Sequence, residues 1–288
     1  MDIFDAAKNG DLDGVGKLLD SGVDPNIQDK WDQTPLISAS RYGNTEIIKL
    51  LLERGADPNI RNDYGNTPLE SATYNGYTEI VKLLLNNNAD PNIHDNSGNT
   101  PLISATIEGY TEIVKLLLEH DANPNIRNDY GRTPLIIATK FDYNDIVRML
   151  LESGADPTIK NEFGDTAYDI ALDNGNMEIA RLIKHHMDLQ KSQQNLAFMK
   201  YFLDRDDLDI DTASKIFNIV RSYNPDVGRR IRDEQRRNMI LEEENNRIAD
   251  YLNTIEQYGM GKRSKGKHGK KRSSKKKSKT KKKRNYRF

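Results

Sequence analysis

A 33-residue period runs through the first two thirds of this 288-residue chain. The threonine of a Thr-Pro-Leu triplet recurs at this interval, and a degenerate Thr-Ala-Tyr follows one step later: Thr34, Thr67, Thr100, Thr133 and Thr166. The proline of Asp-Pro-Asn-Ile-like stretches keeps the same step, at Pro25, Pro58, Pro91, Pro124 and Pro157. An alanine does so as well, at Ala39, Ala72, Ala105, Ala138 and Ala171. Three marks in phase over five periods indicate a stack of repeated structural units.

Each unit has the pattern of two helices followed by a turn. Threonine caps a helix well, and proline at the first helical position loses no needed hydrogen bond. The first helix is predicted to end at residues that accept positive φ, namely Gly43, Gly76, Gly109, Asp142 and Gly175. A second helix, as in residues 45–52, has apolar residues on more than one face, which is typical of a helix packed between neighbours. It is predicted to end at Gly55, Asn88, Asp121 and Gly154.

This helix, turn, helix and projecting hairpin resembles the ankyrin repeat. Thr-Pro-Leu, Glu-Ile-Val-Lys-Leu-Leu-Leu (residues 79–85 and 112–118) and Gly-Ala-Asp-Pro-Asn (residues 55–59) are the motifs that it shares with that family. The resemblance covers residues 1–187 and implies an all-α ankyrin-repeat solenoid. We expect an N-terminal capping unit and five repeats: 1–29, 30–62, 63–95, 96–128, 129–161 and 162–187.

One position departs from the family pattern. Ankyrin units usually place a histidine after Thr-Pro-Leu, where it connects hairpins by hydrogen bonds. This chain has Ile37, Glu70, Ile103, Ile136 and Asp169 at that position. We therefore expect the three isoleucines to stabilise the stack by apolar burial.

The resemblance also implies where a partner protein binds, since ankyrin arrays generally contact partners through hairpin tips and the exposed side of the first helices. Three residues before the repeat threonines, four of five positions are aromatic, and the predicted tip contacts are Trp31, Tyr64, Tyr130 and Phe163. On the first helices, the predicted contacts are Arg41, Tyr42, Tyr74, Ile107 and Phe141. These residue types are enriched at binding hot spots, so we predict a concave binding surface. Acidic neighbours such as Asp63, Asp129 and Glu162 favour a partner with basic character; alternatively, the rings only pack along neighbouring hairpins.

Residues 188–260 lose the period but keep helical patterns. Leu196, Met199 and Leu203 share one helical face, and a long charged helix is expected after Pro225. One interpretation is a helical cap over the end of the stack. A second is a helix that binds a partner or dimerises. A third is an F-box-like motif for recruiting ubiquitin ligases, from a loose resemblance at Leu208, Asp211, Ile216, Phe217 and Val220.

Residues 261–288 form a segment of low complexity. They contain 16 of the 43 Lys and Arg residues and none of the 44 Asp and Glu residues, which leaves a formal charge of −17 on the rest of the chain. Repulsion and the lack of apolar residues predict a disordered tail. Its predicted role is non-specific nucleic-acid contact or nuclear import, through Lys270, Lys271, Arg272, Lys275, Lys276, Lys277, Lys281, Lys282, Lys283 and Arg284. The tail is similar in style to those of ankyrin proteins of large DNA viruses; alternatively, it only solubilises the chain or folds back on the acidic body.

The sequence offers no pattern typical of an enzyme. Cysteine is absent, which excludes thiolate nucleophiles and cysteine zinc sites. Gly261 to Lys267 matches the spacing of a phosphate-binding loop, but His268 stands where Ser or Thr would hold magnesium. His185 and His186 are adjacent and point about 100° apart on a helix, so they cannot chelate one metal together. We expect no catalytic, cofactor or metal site.

Two functions remain. The first is a non-enzymatic adaptor that binds an unidentified protein through the concave face; the second is a nucleic-acid-associated protein that uses the basic tail. The N-terminus lacks a basic segment and a long apolar run, so no signal peptide or membrane helix is expected. We expect an intracellular protein of cytoplasm or nucleus, with a monomer favoured.

Overall fold

Residues 2–203, which the computed structural model describes, form twelve α-helices. They are α1 (Ile3–Asn9), α2 (Leu12–Asp20), α3 (Pro35–Tyr42), α4 (Thr45–Glu53), α5 (Pro68–Tyr74), α6 (Thr78–Asn86), α7 (Pro101–Ile107), α8 (Thr111–Glu119), α9 (Pro134–Lys140), α10 (Asn144–Glu152), α11 (Ala167–Asp173) and α12 (Met177–Leu203). The F-box-like motif, the long charged helix and the basic tail lie outside the described residues. So do the side chains of Leu196, Met199 and Leu203.

The repeated residues begin and end the helices as predicted. The Thr34, Thr67, Thr100 and Thr133 side chains each accept a hydrogen bond from the backbone N–H three residues later, and proline is the first helical residue. All five predicted ends of first helices have φ between +57° and +80°, and the four ends of second helices have φ between +62° and +86°. These predictions are confirmed, including the aspartate at position 142.

The helices stack in two layers. The odd-numbered helices from α1 to α11 each pack against the next odd-numbered helix and form the first layer. The even-numbered helices from α2 to α10 form the second layer in the same way. The repeated alanines are fully buried in the first layer, where their small side chains let neighbouring helices approach closely. The leucine after each Thr-Pro is also buried, at Leu36, Leu69, Leu102 and Leu135. One continuous apolar core therefore runs from Ile3 to Ile183.

The isoleucines at the histidine position are buried, as predicted. Ile37, Ile103 and Ile136 are 0–2% exposed. In the last unit Asp169 takes another role, because its carboxylate accepts the backbone N–H and hydroxyl hydrogen of Thr166, while Thr166 Oγ1 accepts the Asp169 N–H. These bonds lower the pKa of Asp169. This capping box compensates for the missing proline at Ala167.

A row of asparagines connects successive units at the second-helix end of each repeat. Asn59 Nδ2 donates to the Asn88 carbonyl at 3.1 Å, and Asn59 Oδ1 accepts the Asp90 N–H at 2.8 Å. The same pair of bonds recurs at Asn26, Asn92 and Asn125. This source of cohesion was not predicted from the sequence.

The last helix is three times as long as the other second helices. Helix α12 has 27 residues, whereas α4, α6, α8 and α10 have nine each. The boundary that we expected after residue 187 lies inside this helix. Its first turns contribute Ile179, Ala180 and Ile183 to the core.

Candidate functional site

The hairpin turns hold their aromatic residues in one repeated geometry. Two residues before each ring stands Asp or Asn, and its side chain accepts two backbone N–H bonds within the turn, as Asn62 does from Tyr64 and Asn66. The same bonds recur from Asp29, Asp95, Asn128 and Asn161. Such side-chain turns fix the backbone locally. They fix the backbone of each turn through bonds within the turn itself.

Backbone hydrogen bonds connect one hairpin to the next. The Trp31 carbonyl accepts the Asp63 N–H at 3.1 Å, and the Tyr64 carbonyl accepts the Asn96 N–H at 3.0 Å. Ser97 continues the series by accepting from Asp129. The first four hairpins therefore form a ladder, which holds Trp31, Tyr64 and Tyr130 at a fixed spacing.

The side chains predicted to contact a partner lie at the surface. The hairpin rings Trp31, Tyr64, Tyr130 and Phe163 are 50–74% exposed. The first-helix residues Tyr42, Tyr74, Ile107 and Phe141 are 37–64% exposed, and Arg41 is exposed as well. We call these nine residues the ring face. The rings are not buried against neighbouring hairpins.

Part of the ring face surrounds a pocket. A cavity of about 450 Å³ is lined by four of the nine residues, Arg41, Tyr64, Tyr74 and Ile107. Trp31, Tyr42, Tyr130, Phe141 and Phe163 do not line it. Hairpin and first-helix residues of the first three full repeats thus meet around one cavity, as expected if both elements face the same side.

Glu70 belongs to this pocket and was not among the predicted contacts. It lines the cavity but is only 5% exposed, so it forms part of the floor. Its Oε1 accepts a hydrogen bond from the Ser104 hydroxyl, while its Oε2 has no hydrogen-bond partner among the described residues. Desolvation, opposed by the Ser104 bond and assisted by Asp95, raises the pKa of Glu70 to about 7. The glutamate where three other repeats have isoleucine was the sequence signal for this site.

Charges of both signs surround the rings. At the tips, a hydrogen bond to the Asp32 carboxyl raises the pKa of Asp63, with desolvation and repulsion by Asp32 and Asp29 adding to the effect. Several rings carry a cation over one face: the Lys30 ammonium is 3.9 Å from the Trp31 ring centre, and the Arg132 guanidinium is 5.3 Å from that of Tyr130. The Tyr64 and Tyr74 rings have no such contact among the described residues. These two are the rings that line the pocket.

Neither a metal site nor a membrane span is found within residues 2–203. There, no group of three or more His, Asp or Glu residues is placed to hold a metal ion. None of the helices in this part of the chain is long and apolar enough to cross a membrane.

Comparisons with known proteins agree with this geometry. A sequence model of ankyrin repeats in three copies matches residues 3–95 and 87–161, and a model of ankyrin repeats in many copies matches residues 140–183. The crystal structure of an ankyrin repeat domain from Acinetobacter baumannii is similar, with a TM-score of 0.61 and 30% identity over 64% of this chain and 96% of that one. The ankyrin repeat protein EF0377 gives a TM-score of 0.59 and 36% identity over 63% and 96%. No curated protein sequence matches significantly.

Ankyrin repeats are generally protein-interaction modules rather than catalytic folds. The repeat models together span most of the described residues, and the helical pairs, positive-φ ends and hairpin ladder follow the same period. The protein belongs to the ankyrin-repeat family.

Proposed function

We propose that this protein is a non-enzymatic adaptor that binds a partner protein through the ring face. The observation that carries the proposal is the exposure of eight large apolar side chains on the hairpins and first helices of successive repeats. Tyr, Trp and Arg in such a cluster are the residue types that dominate interface energies. The ladder holds Trp31, Tyr64 and Tyr130 at a fixed spacing, which reduces the entropy lost on binding.

The charge around the rings favours a partner with basic character. Asp63 and Asp129 flank Tyr64 and Tyr130 on the hairpin tips, and the chain before residue 261 has a formal charge of −17. Complementary charge mainly raises the association rate and excludes acidic partners. We therefore expect binding to weaken at high salt, because the tip carboxylates are exposed.

The test is a crosslinked pull-down followed by affinity measurement with the recovered partner. Replacing Tyr64 and Tyr130 by Ala removes two exposed rings, and we expect at least a tenfold loss of affinity, since anchor residues each contribute about 2 kcal/mol or more. Leu12→Ala is the control, because Leu12 is exposed on the opposite layer of helices. Affinity that stays unchanged in the double variant, or falls equally in the control, refutes the assignment.

A second function is favoured by the basic tail. Sixteen Lys and Arg residues with no acidic residue among 28 give a polycation that condenses on phosphate backbones without reading sequence. Its composition also suits nuclear import. In this case the ankyrin stack positions a protein beside nucleic acid, and the two functions combine in one adaptor.

A further inference from the structure

The pocket floor contains an acceptor that the protein itself leaves unused. Glu70 is almost fully buried on α5, and Ser104 of α7 satisfies only its Oε1. A buried polar atom without a partner costs about 1–3 kcal/mol, and more when it is charged. In three other repeats an isoleucine at this position avoids that cost. Because Oε2 is itself buried, Glu70 acts on a ligand in the cavity through its charge, which favours a cation.

The walls of the pocket suit a flat cation. Tyr64 and Tyr74 contribute exposed rings that no cation of the described residues covers. The carboxylates of Asp95 and Glu108 also line the cavity, and neither forms an ion pair within residues 2–203. Arg41 is the one positive side chain of the lining, and it forms no ion pair in that part of the chain either. With three acids against one base, the pocket carries a net negative charge when they are ionised.

We propose that this pocket binds an arginine side chain of the partner protein, with the Tyr64 and Tyr74 rings as its contacts and the charge of Glu70 in the floor attracting it. The inference rests on the proposed function, because the arginine belongs to the protein that the ring face recognises. A guanidinium is always charged, which suits the nearby Glu70 carboxylate, and its flat face stacks on tyrosine rings. A lysine ammonium stacks less well and is more strongly hydrated. The volume of about 450 Å³ is within the usual range for a binding pocket.

Occupancy by a cation should depend on pH. The pKa of Glu70 is about 7 in the free protein, so a bound guanidinium, which favours the carboxylate, displaces a proton near neutral pH. The charged groups that face Glu70 are Arg41 from α3, Asp95 from the hairpin and Glu108 after α7. Affinity for arginine should thus rise between pH 6 and pH 8.

The test uses the full-length protein and a capped arginine, N-acetyl-arginine methylamide, titrated by NMR. Capped citrulline, which has the same shape without the charge, is the matched control ligand. We expect amide shifts around Tyr64, Tyr74 and Ser104 with arginine and at least tenfold weaker binding of citrulline. Glu70→Gln should weaken arginine binding at least tenfold at pH 8 and less at pH 6. Tyr74→Ala, at an exposed position, should weaken it without unfolding the protein.

Two outcomes overturn the proposal: equal binding of arginine and citrulline, or an affinity that Glu70→Gln leaves unchanged in a folded protein. Partner capture gives a separate readout, because Tyr130 and Phe163 lie outside the pocket. If their replacement abolishes partner capture while capped arginine does not bind, only the arginine site is wrong. If capped arginine binds as expected but ring-face variants keep full partner affinity, the proposed function is wrong, and so is the assignment of the arginine to the partner protein.

Discussion

Glu70 shows how one residue combines a stability cost with a binding surface. Its neighbours in the repeat series, Ile37 and Ile103, bury apolar side chains, whereas Glu70 buries a carboxyl group between them. Burial disfavours the ionised form, which is the main cause of its raised pKa. The Ser104 hydroxyl compensates for only one oxygen. A contribution to binding would offset the stability that the buried carboxyl group costs.

The first prediction is a pH-dependent stability that Glu70 controls. The folded protein holds the Glu70 proton with a pKa of about 7, whereas the ordinary glutamate value of 4.5 applies to the unfolded chain. Between these two pH values the folded state therefore binds more protons than the unfolded state. The contribution of Glu70 to the free energy of unfolding falls as pH rises from about 4.5 to about 7, and it stays constant at higher pH. The change is on the order of 3 kcal/mol.

Glu70→Gln removes this titration while retaining the size of the side chain. We expect the stability of the variant relative to the natural protein to increase from pH 4.5 to pH 8, measured by urea unfolding at each pH. Glu70→Ile, which reproduces the other repeats, should behave similarly. A difference between variant and natural protein that is the same at both pH values contradicts the raised pKa.

At the scale of elements, the turn between paired helices depends on glycine for two separate reasons. Gly76 has φ +72°, a left-handed conformation, and a β-carbon there would lie 3.0 Å from the Tyr110 ring of the next repeat. Gly175 has the same φ, but a β-carbon there would have nothing within 4 Å. The pair therefore separates backbone strain from the close approach of two repeats.

The second prediction compares Gly76→Ala with Gly175→Ala. The left-handed conformation costs alanine about 1–2 kcal/mol at both sites. Gly76→Ala should lose more stability than this, because the Tyr110 ring must also move. Urea unfolding of both variants measures the difference. Equal losses would mean that the ring adapts freely and that the contact between repeats contributes nothing.

The third prediction concerns the asparagine row. Asn59→Ala removes two hydrogen bonds to the next repeat, and we expect a loss of about 1–2 kcal/mol in thermal or urea unfolding. Asn87→Ala is the control, since the Asn87 side chain bonds only to the Leu83 carbonyl of the same turn. It should change stability by about 0.5 kcal/mol or less. Similar losses in both variants would exclude a specific role of the row in joining repeats.

Elements that local chemistry specifies could be predicted from the sequence, and contacts between units could not. Thr67 and Gly76 set the ends of α5 by capping and by positive φ, which depend on neighbouring residues alone. The bonds of Asn59 and the pocket around Glu70 depend on which residue of the next repeat lies opposite, and the period alone does not say this. The length of α12 was also missed, because the residues after 187 keep a helical pattern without the repeat.

For the molecule as a whole, the stacked architecture limits how binding at one end affects the other end. In a repeat array each unit contacts only its neighbours, so binding on one stretch of the ring face need not disturb distant units. The chain instead separates functions along its length. An acidic, ring-bearing stack shares one core from Ile3 to Ile183, and all 28 residues from 261 onward are free of acidic side chains.

The last prediction tests whether that separation makes the protein a link between a partner and nucleic acid. If the tail binds phosphates, the full-length chain should bind duplex DNA, and the logarithm of its affinity should fall linearly with the logarithm of salt concentration. Each phosphate contact should add about −0.9 to the slope of that line. Deleting residues 261–288 should abolish both the binding and the slope in a filter-binding series. Replacing all the tail lysines by arginine keeps the charge and should retain both the binding and its salt dependence. A shuffled tail sequence should also retain both, because no base is read. Negligible binding of the natural chain at physiological salt would contradict the nucleic-acid function and leave the tail a role in targeting or solubility.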